Sequence, residues 1–188
     1  MTTAQRPTLV FTGLLQSDVA ASTVGQLAWA VLRVIAGTVM IQHGLEKIGD
    51  IQGFADAYVS AIGLPFPIFF SYCAAFAELI GAPLVILGLF TRLGSLALLG
   101  TMSVAIYHHL LVAGLNLSYL ELSLLYTGCF AFFLVNGGGR FSLDALIDAW
   151  LVRGSQARRL ETLEASYTAS EQILQSTEVA PEISVEQK

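Results

Sequence analysis

The sequence predicts an all-α integral membrane protein: an up-down four-helix bundle followed by an amphipathic helix lying in the membrane interface. Three observations lead there. Of 188 residues, 55% are hydrophobic and only 12% charged, with a mean hydropathy of +0.69, whereas soluble domains carry about 25% charged residues. Four long apolar runs, at residues 25–43, 68–89, 93–112 and 117–135, each approach the roughly 20 residues a helix needs to cross about 30 Å of hydrocarbon. The links between the last three runs are short, so those helices must be antiparallel neighbours.

Residues 1–24 read as a tail on the cytoplasmic side. Their apolar stretch, Leu9–Leu15, is short and interrupted by Gly13, unlike a cleavable signal peptide. The first span closes near His43-Gly44, and a loop with Glu46, Lys47, Asp50 and Asp56 follows. Gly63-Leu64-Pro65-Phe66-Pro67 then opens the second span; prolines suit a helix entrance, where backbone N–H groups have no intrahelical partner. Inside that span Pro83 removes a hydrogen bond to the Leu79 carbonyl, next to Glu78. Residues 88–94 and 113–118 make the two tight connections among spans two, three and four.

After the fourth span comes Asn136-Gly137-Gly138-Gly139-Arg140-Phe141-Ser142-Leu143-Asp144. It lacks the Gly-Lys-Ser/Thr ending and the preceding strand of a phosphate loop, so it reads as a helix exit with Ser142 as the next N-cap. Residues 141–152 then show an apolar face (Phe141, Leu143, Leu146, Ile147, Trp150, Leu151) with Asp144 and Asp148 opposite, the pattern of an interfacial helix anchored by tryptophan. Residues 153–188 read as a polar, acidic cytoplasmic tail, solvated and partly disordered. The membrane domain is thus residues 25–152.

Lys and Arg placement orients the bundle. One side collects Arg6, Arg92, Arg140, Arg153, Arg158 and Arg159, the other only Lys47, which places both termini in the cytoplasm of a bacterial-type inner membrane. The net charge of −5 comes largely from the acidic tail, and no nucleic-acid partner is expected. Cys73 and Cys129 fall at depths several ångströms apart, at about 1.5 Å per residue, so they read as small packing residues rather than a disulfide. No Cys or His spacing indicates a metal.

The informative residues are the charges inside the spans. Arg33 lies in the first apolar run and Glu78 in the second. An unpaired ion within a span costs about 3 kcal/mol or more, so the two are expected to pair or to line one polar cavity. Arg33 shares its face with Gly37, Met40 and Gly44. A second polar layer, towards the outer side, would gather His43, Glu121 and one of His108 and His109, phase favouring His108. Each also has a plainer reading: an Arg–Glu clamp fixing helix register, and His43 as an interface residue at a helix end.

The segments "HGLEKI" (residues 43–48), "AELIGAPLVILGLFTRLGSLALL" (77–99), Glu121 opening the fourth span, and "NGGGRFSLDAL" (136–146) together resemble the DoxX/DoxD family over about residues 27–146. The pattern falls on Arg33, His43, Gly44, Lys47, Glu78, Gly88, Arg92, Glu121, Gly137, Gly139, Ser142 and Asp144. The resemblance implies a membrane subunit of a redox complex, similar to thiosulfate:quinone oxidoreductases or to thiol-linked stress-defence complexes. Quinone is then the implied cofactor, held by Arg33 and Glu78, with His108, Glu121 and His43 completing the reactive set. A soluble oxidoreductase subunit and a second copy of the chain are the implied partners besides lipid. Whether the chain is itself an enzyme stays open; the competing reading is a non-enzymatic scaffold or small transporter.

Overall fold

The computed structural model describes residues 22–178, with side chains to residue 172; the expected N-terminal tail lies almost wholly outside the described residues. Four helices carry the bundle: α1 (Thr23–Gly49), α3 (Pro67–Leu87), α4 (Thr91–Ala113) and α5 (Leu117–Asn136), each long and apolar enough to cross a membrane. Between α1 and α3 sit the short α2 (Ile51–Phe54) and a π-helical turn, Ala55–Val59. The last helix, α6, runs Leu143–Glu178. The protein is an all-α, multi-pass membrane bundle.

The helices begin and end for local reasons. The Ser22 side chain accepts from the Gly25 amide at the start of α1, a normal N-cap. Gly88 ends α3 in the left-handed conformation (φ 67°), as glycine tolerates best. α3 runs unbroken through Pro83. Phe66 and Phe90, which precede α3 and α4, also take left-handed angles (φ 53° and 46°), a position that a bulky residue holds only where its surroundings over-determine it.

Packing within the bundle relies on glycine. A Cβ on Gly37 would meet the Ala82 carbonyl oxygen at 3.1 Å, and one on Gly44 the Ala75 carbonyl oxygen at 3.3 Å, so α1 and α3 lie nearly backbone to backbone. Such close approach is how helices associate in lipid, where burial of apolar area supplies no drive. Trp29, Ala36, Met40, Ala82, Val85, Leu98, Phe130 and Phe133 fill the centre. Most other large apolar side chains face outward, as lipid requires.

Two boundaries differ from the sequence reading. α1 continues past His43 to Gly49, nearly two further turns. α6 does not stop at residue 152: it continues through Gly154 to Glu178, so the stretch expected to be partly disordered is helical there. One glycine costs a helix about 1 kcal/mol, and the Arg, Leu, Glu, Ala and Gln around it are good helix formers. The chain divides into two compact units at Asp148. The second, from Ala149, is by itself a helix whose side chains are nearly all exposed, Trp150, Leu160, Leu163 and Tyr167 among them.

Candidate functional site

Arg33 and Glu78 are both almost fully buried, at 2% and 1% exposure, but they do not pair with each other. Each takes a different partner at a different end of the bundle. That corrects the expected Arg–Glu pair, and the physical reason is supply: two other groups reach these charges first.

Glu78 Oε2 accepts from Lys47 Nζ at 2.5 Å. Lys47 is available because α1 keeps its helical phase beyond His43. Arg33, Gly37, Met40, Gly44 and Lys47 recur every three or four residues, so one stripe of α1 faces α3 along its whole length. Lys47 Nζ also lies 3.5 Å from the His43 carbonyl oxygen and 5.2 Å from the centre of the Phe54 ring, a weak cation–π contact. Thr101 and His43 complete the surroundings of the carboxylate. Sequence reasoning missed Lys47 as a site residue by assigning it to a loop; the Arg33 stripe, continued one turn, would have found it.

This ion pair forms part of the wall of a cavity of about 910 Å³. His43, His108 and Tyr126 stand on the same wall. The rings of His43 and Tyr126 meet edge to face at 6.5 Å. His108 is 8% exposed, its Nε2 is 3.3 Å from the Ala57 carbonyl oxygen, and its ring lies 4.8 Å from that of Tyr58. His108 therefore ties the π-helical turn to α4. His109 also borders the cavity, its ring 5.4 Å from that of His108, so the expectation that only one of the pair faces inward is corrected. The cavity is wide enough for neighbouring positions, about 100° apart on a helix, both to reach its edge. Glu121 is exposed and is not among the cavity's lining residues.

Arg33 instead serves the opposite end. One of its terminal nitrogens donates to the Phe141 carbonyl at 2.5 Å, and the guanidinium lies within electrostatic reach of Asp144. Asp144 was expected on the polar face of an interfacial helix; it is 1% exposed. Its carboxylate accepts from the Phe90 amide at 2.7 Å, the Thr91 amide at 3.0 Å and the Thr91 hydroxyl at 2.8 Å, while its own amide donates to the Gly88 carbonyl at 2.8 Å. Asp144 thus caps α4 from a distant part of the chain and holds Phe90 in its left-handed conformation. Gln26 Oε1 accepts from the Arg140 amide at 2.7 Å, and a Cβ on Gly88 or Gly138 would collide with Arg33 or Ser142. The glycine-rich segment is therefore a plug folded back onto the bundle, packed too closely for a side chain at Gly88 or Gly138.

Comparison with known proteins adds a family. The family model described as DoxX matches residues 28–112. A Haemophilus influenzae protein described as uncharacterized is 33% identical over 121 residues, covering 61% of this chain and 87% of that protein. A Bacillus subtilis protein named "Putative oxidoreductase CatD" is 40% identical over 68 residues, 36% of this chain and just under half (48%) of that protein. No solved structure matches.

Proposed function

Because this chain belongs to the DoxX family and is a multi-pass membrane protein, we propose that it is the membrane subunit of a redox complex that binds a quinone or a similar flat carrier in the Lys47–Glu78 cavity. The observation that supports this most is a buried, oppositely charged pair on the wall of a hollow of about 910 Å³. A structural ion pair has no need of a cavity beside it, whereas a ligand site places a few polar groups in an apolar hollow of this size. The relative named as an oxidoreductase agrees with the direction.

The residues fit a quinone head. Lys47 offers N–H donors for a carbonyl oxygen, the Glu78 carboxylate can take a proton with the Thr101 hydroxyl beside it as a hydrogen-bonding group, and the rings of Phe54, Tyr58 and Tyr126 offer flat faces. A bound quinone supplies a two-electron, two-proton couple. This chain's own residues would bind and orient the head and move protons between Glu78 and the histidines; the electrons require a soluble oxidoreductase subunit as partner. The basic residues at the α3–α4 and α5–α6 turns, Arg92 and Arg140, support an orientation with those turns on the cytoplasmic side of a bacterial-type inner membrane.

The test is binding of 2,3-dimethoxy-5-methyl-1,4-benzoquinone to the purified full-length protein in lipid nanodiscs. Glu78→Gln should weaken it by about tenfold, the scale of one charge-assisted hydrogen bond. Wild-type affinity in that variant removes the proposal.

A further inference from the structure

We propose that the cavity is entered from the bilayer core through a portal between α3 and α4, and that its ligand is a lipid-dissolved amphiphile whose tail stays in that portal. This rests on the cavity being a ligand site and adds the class of ligand: tailed and drawn from the membrane, not water-borne.

The first observation is that several residues of the cavity wall on two neighbouring helices are exposed. Cys73 on α3, and Ala97, Gly100 and Val104 on α4, line the cavity and are exposed. All four lie well inside spanning helices, where the surrounding solvent is hydrocarbon. We take this run of exposed wall residues along the α3–α4 seam as the opening, which lies at the depth of the lipid tails.

The second observation is the shape around it. Towards the plugged end, α3 and α4 touch backbone to backbone: a Cβ on Gly81 would stand 3.1 Å from the Gly94 carbonyl oxygen, and one on Gly94 2.8 Å from that of Gly81. That contact shuts the gap on one side. Further along α4, a Cβ on Gly100 would meet no atom within 4 Å. The gap is bordered by small side chains, Cys73, Ala77 and Ala97, which leave the seam free of bulky groups there.

The third is a contrast in chemistry. The cavity's other rim, at the end of the bundle, carries exposed Glu46, Asp50 and Ser118. An apolar tail gains nothing among charged groups, whereas the α3–α4 side offers surroundings as apolar as the lipid it would leave. The site therefore has a polar mouth for water and protons and an apolar door for the carrier, with Lys47–Glu78 between them.

Two measurements on the full-length protein in nanodiscs test this. A phospholipid with a photoactivatable diazirine in mid-chain should label the inward-lying Ala74 and Thr101 of the ligand-free protein. Gly100→Trp, which fills empty space and so leaves the fold intact, should cut that labelling by about fivefold without changing labelling of the outward Phe76 and Leu96, a one-side-chain steric block. No label at Ala74 and Thr101 in the wild type, as when a second copy covers this flank, overturns the portal. The same variant should weaken a decyl-tailed benzoquinone by about tenfold and a tailless one by less than about twofold; an equal change in both overturns the tail. If neither quinone binds the wild type while the lipid label enters, the quinone reading fails and the portal stands.

Discussion

Arg33 and Lys47 stand on the same stripe of α1, about 21 Å apart along an ideal helix, and each faces a buried carboxylate from elsewhere in the chain. The surroundings then diverge. Around Arg33, the Asp144 oxygens are taken up by the Phe90 and Thr91 amides and the Thr91 hydroxyl, and glycines let the backbone close in from every side. Around Lys47, the pair with Glu78 borders open space. A buried charge is thus no sign of function by itself; the free volume beside it separates a clamp from a site.

The sharpest way to break this contrast is Asp144→Ala. Three hydrogen bonds and the countercharge to Arg33 go at once, leaving a buried cation and an uncapped α4, so stability should fall by about 3–5 kcal/mol. Thermal unfolding in detergent measures it. A variant as stable as the wild type would mean that the plug does not close the bundle.

Next is the pair itself. Lys47→Met with Glu78→Leu replaces two ions by side chains of similar length. Such exchanges of buried pairs are commonly neutral or stabilising by about 1–4 kcal/mol, so the melting temperature should hold or rise while quinone binding disappears. Loss of stability in the double variant would make Lys47–Glu78 a clamp like Arg33–Asp144 and erase the difference between the two ends.

Much of this was legible in the sequence, and the misses have physical causes. The spans follow from hydropathy because lipid demands an apolar exterior over a fixed length. Arg33, Glu78, His43 and His108 were found because polar groups are costly inside spans. His43 and His108 do share one cavity wall as expected, whereas Arg33 and Glu78 take separate partners. Hydropathy ends the first span where its charges begin, and that hid Lys47, although helical phase continues through it. Asp144 escaped because its partners are the backbone amides of Phe90 and Thr91, and nothing in the identity of those residues announces a capping carboxylate fifty residues away. A glycine-rich exit and a glycine-rich plug read alike until the chain is seen to fold back.

Glu121 supplies the smallest and most discriminating expectation. By depth alone it belonged with the histidines at the outer end, yet its side chain is exposed and the cavity wall on α5 is made by Ser118, Tyr119, Leu122, Ser123 and Tyr126 instead. An exposed carboxylate is well solvated, and many surface charges contribute no more than about 0.4 kcal/mol to a neighbouring interaction. Glu121→Gln should therefore change benzoquinone affinity by less than about twofold, against the tenfold expected for Glu78→Gln. A loss as large as that of Glu78→Gln would bring the first turn of α5 into the site. The hollow end would then extend to its polar mouth as one functional unit, and the comparison would be between a closed end and a whole open half of the bundle.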